Sequence, residues 1–339
     1  MNKISKSFKI GGKTIGDSSP TFVIAEAGIN HNGSVKIAKK MIDSVNECNA
    51  DAIKFQTFKA DDLTSTKSIY HKLFKKLELS NTDFGEISDY AHNRGVIFLS
   101  TPFSNDAVDL LDKLKIPAFK IASGDLTDLP LIRYAALKQK PILLSTGMST
   151  LNEIKLSVKE ICKTKNKKIG LFHSVSSYPT PYNETNLFAI KTLKKEFSYP
   201  IGFSDNGADL LVPQVAVSIG AKIIEKHFTL NKKMNGPDHK MSANPKQMKE
   251  LISNIRKVEE ICGDGEKKAQ NCEKEGLVSI RRSIIAKKEL EKGIRLTKDM
   301  IKIARPAEGI EPRFFNDVIG KYLKRKVSEN APIKWSHLK

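Results

Sequence analysis

Two lysines stand where lysines are expensive. Lys54 lies in AIKFQT (52–57) and Lys120 in AFKIAS (118–123), runs otherwise apolar or β-branched apart from Gln56 and the closing residues. A buried ammonium without a counter-charge is costly. Taken singly, each is open to three readings: an anion ligand, a Schiff-base former, or a lysine whose stem snorkels from a strand end. Two on different strands make a basic pocket, which fits a phosphate or carboxylate better than an isolated catalytic amine. Glu26 lies toward the end of the run FVIAEAGI (22–29), which leads into NHNG (30–33). A carboxylate buried there must be paired or have a raised pKa, and His31 stays open between ligand, acid/base and loop histidine. Glu225 and His227, in EKHFTL (225–230), are two apart and share one face of a strand. That spacing suits a metal-binding imidazole with a carboxylate behind it, although a lone strand histidine is more often structural. Asn206, in GFSDNGAD, holds the position where a second histidine would complete the pair; its amide oxygen can ligate a hard divalent ion without adding charge. Hydroxyls recur at the ends of such runs: Ser100, Thr101, Ser123, Ser145, Thr146, Ser176 and Ser204. Singly each is a turn residue; converging, they form an anion cradle.

These residues need strands to carry them. Runs of near-continuous hydrophobicity occur at 22–29, 52–58, 96–103, 118–123, 141–147, 169–176, 200–205 and 221–230, the pattern of buried parallel strands. Helical periodicity fills the gaps, as at Ala38, Met41, Ile42 and Val45, and again from Leu151 after a capping box at Thr150 and Glu153. Alternating strand and helix with polar residues gathered at strand ends predicts an α/β fold, a (β/α)8 TIM barrel with its site on the C-terminal face. A doubly wound sheet would also place function at strand ends, but eight uninterrupted units without a Gly-rich first turn favour the barrel. The expected organisation is an N-terminal hairpin at 1–20 with a Gly-Gly turn, the barrel at 21–262, a charged linker at 263–278 and a small module at 279–339.

Composition narrows the class. Hydrophobic residues make up 40% and charged residues 28% of 339, which excludes disordered and collagen-like chains. No run reaches the ~20 apolar residues of a membrane span, and MNKISKSFKIGG lacks a signal peptide's apolar core. Four cysteines without CxxC spacing fit a reducing cytosol, so a cytoplasmic location is expected. The net charge of +19 suits anionic substrates or polyanions without choosing between them. Zinc-finger and RNP-like signatures are absent, and neither nucleic acid nor membrane is expected as a partner.

In order along the chain, FVIAEAGINHNG, AIKFQT, FLSTPFS, FKIASGDLTDLPLI, ILLSTGMST, SYPTPY, IGFSDNG and IIEKHFTLNKKMNGPDHKMS resemble the sialic acid synthase family, the N-acetylneuraminate or nonulosonic acid synthases. SIIAKKELEKGIRLT and IKIARP resemble that family's C-terminal SAF domain, an antifreeze-like β-clip. The resemblance implies a transferase that condenses phosphoenolpyruvate with an open-chain N-acylamino hexose to a nine-carbon 2-keto acid, phosphate leaving by C–O cleavage. It implies a divalent cofactor, manganese or magnesium, polarising the aldehyde oxygen. By the same resemblance, Lys54, Lys120, Thr101, Ser123, Ser145, Ser176 and Ser204 match the phosphoenolpyruvate cradle. Glu26, Gln56, Asp125, Tyr178 and Asp238 match acid/base and sugar-hydroxyl positions, with Glu225 beside them among the catalytic carboxylates. His227 matches one metal ligand. Arg305 matches the residue that the SAF domain extends into a partner's site in a domain-swapped homodimer.

Two departures stand beside the sugar. The family's commoner SDH is SDN here, with Asn206 in place of a ligating histidine, and GSGE is ASGD, with Asp125 in place of the longer acid. They leave two further readings: a catalytically altered sugar-binding paralogue, and a related phosphoenolpyruvate–aldose synthase with a different acceptor.

Overall fold

A computed structural model describes residues 7–339; the first six residues of the expected N-terminal segment lie outside the described residues. The chain divides into two compact units, one ending at Gly263 and one spanning Asp264–Lys339.

The first unit opens with an antiparallel hairpin, β1 (Phe8–Ile10) and β2 (Lys13–Ile15), turned by Gly11 and Gly12. Both glycines have φ above +50°, the geometry of a two-residue hairpin turn. The next strands are β3 (Phe22–Gly28), β4 (Ala52–Thr57), β5 (Ile97–Pro102), β6 (Phe119–Ile121), β7 (Ile142–Ser145), β8 (Ile169–Ser174), β9 (Ile201–Asp205) and β10 (Ile223–His227). They close into one parallel barrel, with β10 pairing β3. The fold is therefore the (β/α)8 TIM barrel that the alternation predicts. Helix α1 (Val35–Glu47) follows β3; α2 (Ala60–Leu63), α3 (His71–Leu77) and α4 (Asn81–Asn93) follow β4. Around the rest of the ring run α5 (Asn105–Lys113), α6 (Leu129–Leu137), α7 (Leu151–Lys163), α8 (Ala189–Glu196), α9 (Leu211–Ser218) and α10 (Pro245–Cys262). Side-chain oxygens cap the starts of α1, α4, α5, α6, α7 and α10, satisfying backbone N–H groups that have no intrahelical acceptor.

Period-two alternation divides every strand. Outward residues such as Val23, Ile53, Phe55, Phe119, Leu144 and Ile224 pack on the helices. Inward residues form two storeys. The lower is apolar: Phe22, Ile24, Ala52, Leu99, Ala118, Leu143, Phe172 and Ile223, plugged from below by Phe8, Ile10 and Ile15 of the hairpin. The hairpin thus seals the N-terminal end of the barrel. Two residues further along the same strands the inward positions become Glu26, Lys54, Thr101, Lys120, Ser145, Ser174 and Glu225, and β9 adds Ser204 at the same level; all are buried. The chain changes from oil to charge within one storey.

The second unit has its own core, including Ile284, Leu290, Leu296, Ile301, Ile333 and Leu338. The stretch read as a linker carries a 3-10 turn at Asn271–Glu273 and α11 (Lys274–Ser279); its Glu and Lys residues are adequate helix formers. Strands β11 (Ser283–Ala286) and β12 (Ile301–Ala304) pair antiparallel, and a short helix α12 (Phe315–Val318) follows. Among the described residues no helix is long and apolar enough to cross a membrane.

Candidate active site

A cavity of about 580 Å³ sits above the charged storey. Its floor is a four-charge network. Lys54 Nζ lies 2.9 Å from Glu26 Oε2 and 3.8 Å from Glu225 Oε2, and donates to Thr101 Oγ1 at 3.0 Å. Lys120 Nζ donates to Ser145 Oγ and to the Ile121 carbonyl, and lies 3.8 Å from Glu225 Oε1. Ser204 donates to the same Glu225 oxygen at 3.0 Å, and Gln56 Nε2 donates to Glu26 Oε1 at 3.2 Å. Glu225 thus sits between the two ammonium groups, while Glu26 is held by Lys54 and Gln56.

The same burial acts on each group with a different outcome. Desolvation raises Glu26 to about 7 against the pull of Lys54, with the Glu225 charge adding to the rise. Glu225 is also driven up by desolvation, but Lys120 and then Lys54 outweigh it and hold the carboxyl below its usual value. For Lys54 desolvation acts downward, yet Glu225 and Glu26 outweigh it and the ammonium is held above its usual value. Lys120 falls to about 8, because desolvation and Lys54 prevail over Glu225. One carboxylate is thereby fixed as an anion and the other is poised near neutrality, a separation typical of acid/base sites.

The cavity brings together nearly all the residues expected to share it. Glu26, Lys54, Gln56, Thr101, Lys120, Ser123, Ser145, Ser176, Tyr178, Ser204, Asn206, Glu225, His227 and Asp238 line it. Gly147 permits the close approach of two of them: a Cβ there would stand 2.6 Å from Ser176 Oγ and 2.8 Å from Ser123 Oγ. Tyr178 meets His227 edge-on at 5.9 Å between ring centroids, and burial pushes its hydroxyl up to about 12, so it remains a proton donor. Burial also raises Asp238, whose Oδ2 stands 4.0 Å from His227 Nδ1.

Several expected residues stand elsewhere. Asp125 does not line the cavity. The 3-10 turn Ser123–Asp125 sets Ser123 and Gly124 on the wall and carries Asp125 past it, where burial and then Asp128 raise its carboxyl to about 6. Ser100 bonds Thr57 across the sheet at 2.7 Å and Thr146 bonds the Phe172 carbonyl, and neither lines the cavity. His31 is a buried loop residue whose Nδ1 accepts from Gly33 N–H; burial lowers it to about 4, so the ring is neutral. Arg305 follows β12 in the second unit.

Sequence reading missed three features. Ser174 lines the cavity as the inward residue two after Phe172; its place in period two was the available signal. Tyr70, Leu73, Phe74 and Phe103 add an apolar wall. Asp205 turns outward and pairs with the fully buried Lys226 at 2.6 Å; Lys226 also donates to the Gly207 carbonyl, and Gly207 N–H donates to Asp205 Oδ1 at 2.9 Å. This clamp shapes the turn bearing Asn206.

A divalent ion fits part of this set. His227 Nδ1 is buried without a hydrogen-bond partner in the cavity wall, which suits an imidazole ligand. Asn206 commits Nδ2 to the Val175 carbonyl at 2.7 Å, so its oxygen is the atom suited to ligation. Among the described residues no three His, Cys, Asp or Glu side chains converge to enclose a metal. An ion here would be held by few protein atoms and completed by substrate and water.

Comparison with known proteins agrees with this geometry. The model of the NeuB family matches residues 41–267, and that of the SAF domain matches residues 281–339. The chain is 46% identical to an uncharacterized protein of Methanocaldococcus jannaschii, over 98% of this chain and 99% of that one. It is 38% identical to the N,N'-diacetyllegionaminic acid synthase of Legionella pneumophila, over 97% of this chain and 98% of that one. The crystal structure of the N-acetylneuraminic acid synthetase of Leptospira borgpetersenii, in complex with citrate, superposes with a TM-score of 0.79 at 33% identity, covering 82% of this chain and 97% of that one.

Proposed function

The chain belongs to the NeuB family of nonulosonic acid synthases, and from that premise we propose that it condenses phosphoenolpyruvate with the open-chain form of an N-acylmannosamine-type sugar. The products are a nine-carbon 2-keto acid and phosphate. One observation carries the reading: two buried ammonium groups, on β4 and β6, share a cavity floor with a carboxyl poised near pH 7.

In this reading Lys54 and Lys120, with Thr101 and Ser145, grip the phosphate and carboxylate of the three-carbon enol ester. Glu225 stays ionised between them, offsetting their charge and fixing their directions. The enol C3 attacks the aldehyde carbon, and the aldehyde oxygen takes up a proton. Water then adds at C2 and gives up one proton; the bond from C2 to the phosphate oxygen breaks, the C2 hydroxyl passes its proton to the departing phosphate, and the ketone forms. Glu26, near neutrality, serves both proton transfers, since an acid/base group works best with a pKa close to the operating pH. Gln56 holds the Glu26 carboxyl in place, and the Tyr178 hydroxyl and Asp238 face the sugar. Manganese or magnesium, held by His227 Nδ1 and the Asn206 oxygen, would polarise the acceptor carbonyl.

A phosphate-release screen tests the reading, using phosphoenolpyruvate, several N-acylamino hexoses and either metal, with mass spectrometry of the product. A nine-carbon keto acid is the expected result; silence with every acceptor contradicts the reading.

Two finer outcomes follow. Lys120 binds an anion only as the cation, which persists below its folded pKa and is lost above it. The kcat/KM for phosphoenolpyruvate should therefore fall as pH rises through about 8, approaching about tenfold per unit. A flat profile to pH 9.5 removes Lys120 from the anion grip. Asn206→His replaces an amide oxygen by an imidazole, a better ligand for a borderline divalent ion. Manganese affinity, read by titration of the spin-resonance signal, should tighten by about tenfold or more, the scale of even an indirect change at a metal site. Unchanged affinity would show that residue 206 does not touch the ion.

A further inference from the structure

The loop between β10 and α10 reaches the cavity with Pro237 and Asp238. Its ends meet. Thr229 N–H donates to the Ala243 carbonyl at 3.0 Å, and Ala243 N–H donates to the His227 carbonyl at 2.7 Å. Residues 230–242 thus form a closed loop, the kind that its own side chains pack. Thr229, His239 and Ser242 are buried at its base, where a polar group without a partner is costly.

Two chains of hydrogen bonds satisfy these groups, and their directions can be read. Asn32 Nδ2 donates to the Asn235 carbonyl at 3.0 Å, so its Oδ1 is the acceptor that faces His239 Nε2 at 3.2 Å. His239 Nε2 therefore carries the proton, and Nδ1 accepts from the Thr229 hydroxyl at 2.7 Å. Burial holds the imidazole below its usual value, in keeping with this neutral ring. In the second chain Asn30 Nδ2 donates to the Phe228 carbonyl at 2.8 Å and to Ser242 Oγ at 3.0 Å. Ser242 in turn donates to the Asp238 carbonyl, from its hydroxyl at 2.6 Å and its N–H at 3.1 Å. Gly236 lets the loop close on the ring, since a Cβ there would stand 2.6 Å from His239 Cδ2.

Both chains begin in the turn after β3, the strand that bears Glu26. That turn is itself fixed. Asn30 N–H and Asn32 N–H donate to the Ala27 and Ile29 carbonyls at 2.8 and 3.0 Å. Gly33, at φ +70°, lets the turn press on α3, since a Cβ there would stand 2.5 Å from the Lys76 carbonyl. We propose that Asn30, Asn32 and His239 are positioning residues: they lock loop 230–242 to this turn and so set Asp238 in the cavity wall, 4.0 Å from His227. None of the three lines the cavity. The proposal deepens the proposed function and rests on it for the role of Asp238 toward the sugar.

Hydrogen exchange reads the lock without any substrate. In a peptide covering 228–243, His239→Leu and Asn30→Ala should each speed exchange of the Ser242 and Ala243 amides by about tenfold or more, the scale of one lost buried partner. Unchanged exchange in both variants overturns the lock. Kinetics read its purpose, with N-acetylmannosamine as acceptor or, if that sugar is silent, the N-acylamino hexose that releases phosphate. His239→Leu should raise the KM for the sugar by about tenfold or more and leave that for phosphoenolpyruvate unchanged. A merely structural role would lower the folded fraction, and hence kcat, with both KM values unchanged. His239→Gln can still donate to Asn32 and should recover most of the loss, whereas leucine fills the space without donating. Once Asp238 is replaced by alanine, adding His239→Leu should cost less than about twofold more, because residues acting as one unit are not additive. Additive losses, or a KM for phosphoenolpyruvate that rises in step, overturn the positioning role. If no sugar releases phosphate, the proposed reaction falls, and exchange alone then upholds or overturns the lock.

Discussion

Lys54→Met is expected to lower kcat/KM by at least about 10³-fold, since a single preorganised donor in such a site is worth about 10²–10³ and this one carries a full charge. Methionine keeps most of the stem's volume, so the loss would be electrostatic. Lys54 is 3% exposed and lies against Glu26, Glu225 and Thr101. Its removal leaves two carboxyls facing one another in a dry cavity. Breaking one side of a buried charge network typically costs about 3–5 kcal/mol, so stability should fall as well. The sign of its pH dependence follows. Without Lys54 the folded-state pKa values of both glutamates rise, and the folded state then binds more protons than the unfolded one. The deficit is thus fully developed above the raised folded pKa values and shrinks as pH falls toward the ordinary carboxyl range. Denaturant unfolding at pH 5 and pH 8 reads it directly. The double variant Lys54→Met with Glu26→Gln should recover much of the stability and none of the turnover. Recovery of both, or unchanged kinetics in the single variant, would take Lys54 out of the chemistry.

Glu26→Gln is expected to reduce kcat by about 10²–10⁴, the usual worth of a general acid/base, with little change in KM for phosphoenolpyruvate. Glutamine preserves shape and can still bond Gln56, so a folding defect should be slight. Lys54 would lose one counter-charge and retain Glu225. Glu26→Asp should recover only part of the rate, because the shorter acid withdraws from the position set by Gln56. Rapid-quench single-turnover measurements separate this loss from product release. An undiminished chemical step would assign the proton transfers to another cavity group, with Tyr178 and Asp238 next in reach.

The reason so much of the barrel is legible lies in how parallel strands are buried. All eight apolar runs form strands, shortened at the ends where the polar residues begin. Lys54, Lys120, Thr101, Ser145, Ser204 and Glu225 stand out as polar residues inside apolar runs, and each is inward and buried. The failures share one cause: position along a strand does not give direction at its end. Ser100 and Thr146 are neighbours of the cavity-lining Thr101 and Ser145, and alternation turns them away. Asp125 resembles a catalytic acid by its neighbours, yet a 3-10 turn moves it off the wall. Asp205 and Lys226 face the helical layer and find each other there, a pairing that neither residue's local sequence signals. The apolar wall was hidden for another reason. HKLFKKL is only seven residues long, too short for its periodicity to distinguish core from cavity lining, and what it faces depends on Gly33 and Phe103 from other loops. The hairpin's Gly-Gly turn was readable, but its service as the barrel's plug depends on contacts with a lower storey drawn from several strands far apart in sequence.

The most direct measurement follows the bridging oxygen. Phosphoenolpyruvate carrying ¹⁸O between C2 and phosphorus is turned over with an N-acylamino hexose, and the released phosphate is read by its isotope-shifted ³¹P resonance. The expected result is the label in phosphate, with unlabelled solvent oxygen at C2 of a nine-carbon keto acid. Label retained in the keto acid would mean cleavage at phosphorus, and a floor of lysines and a poised carboxyl serving a different reaction.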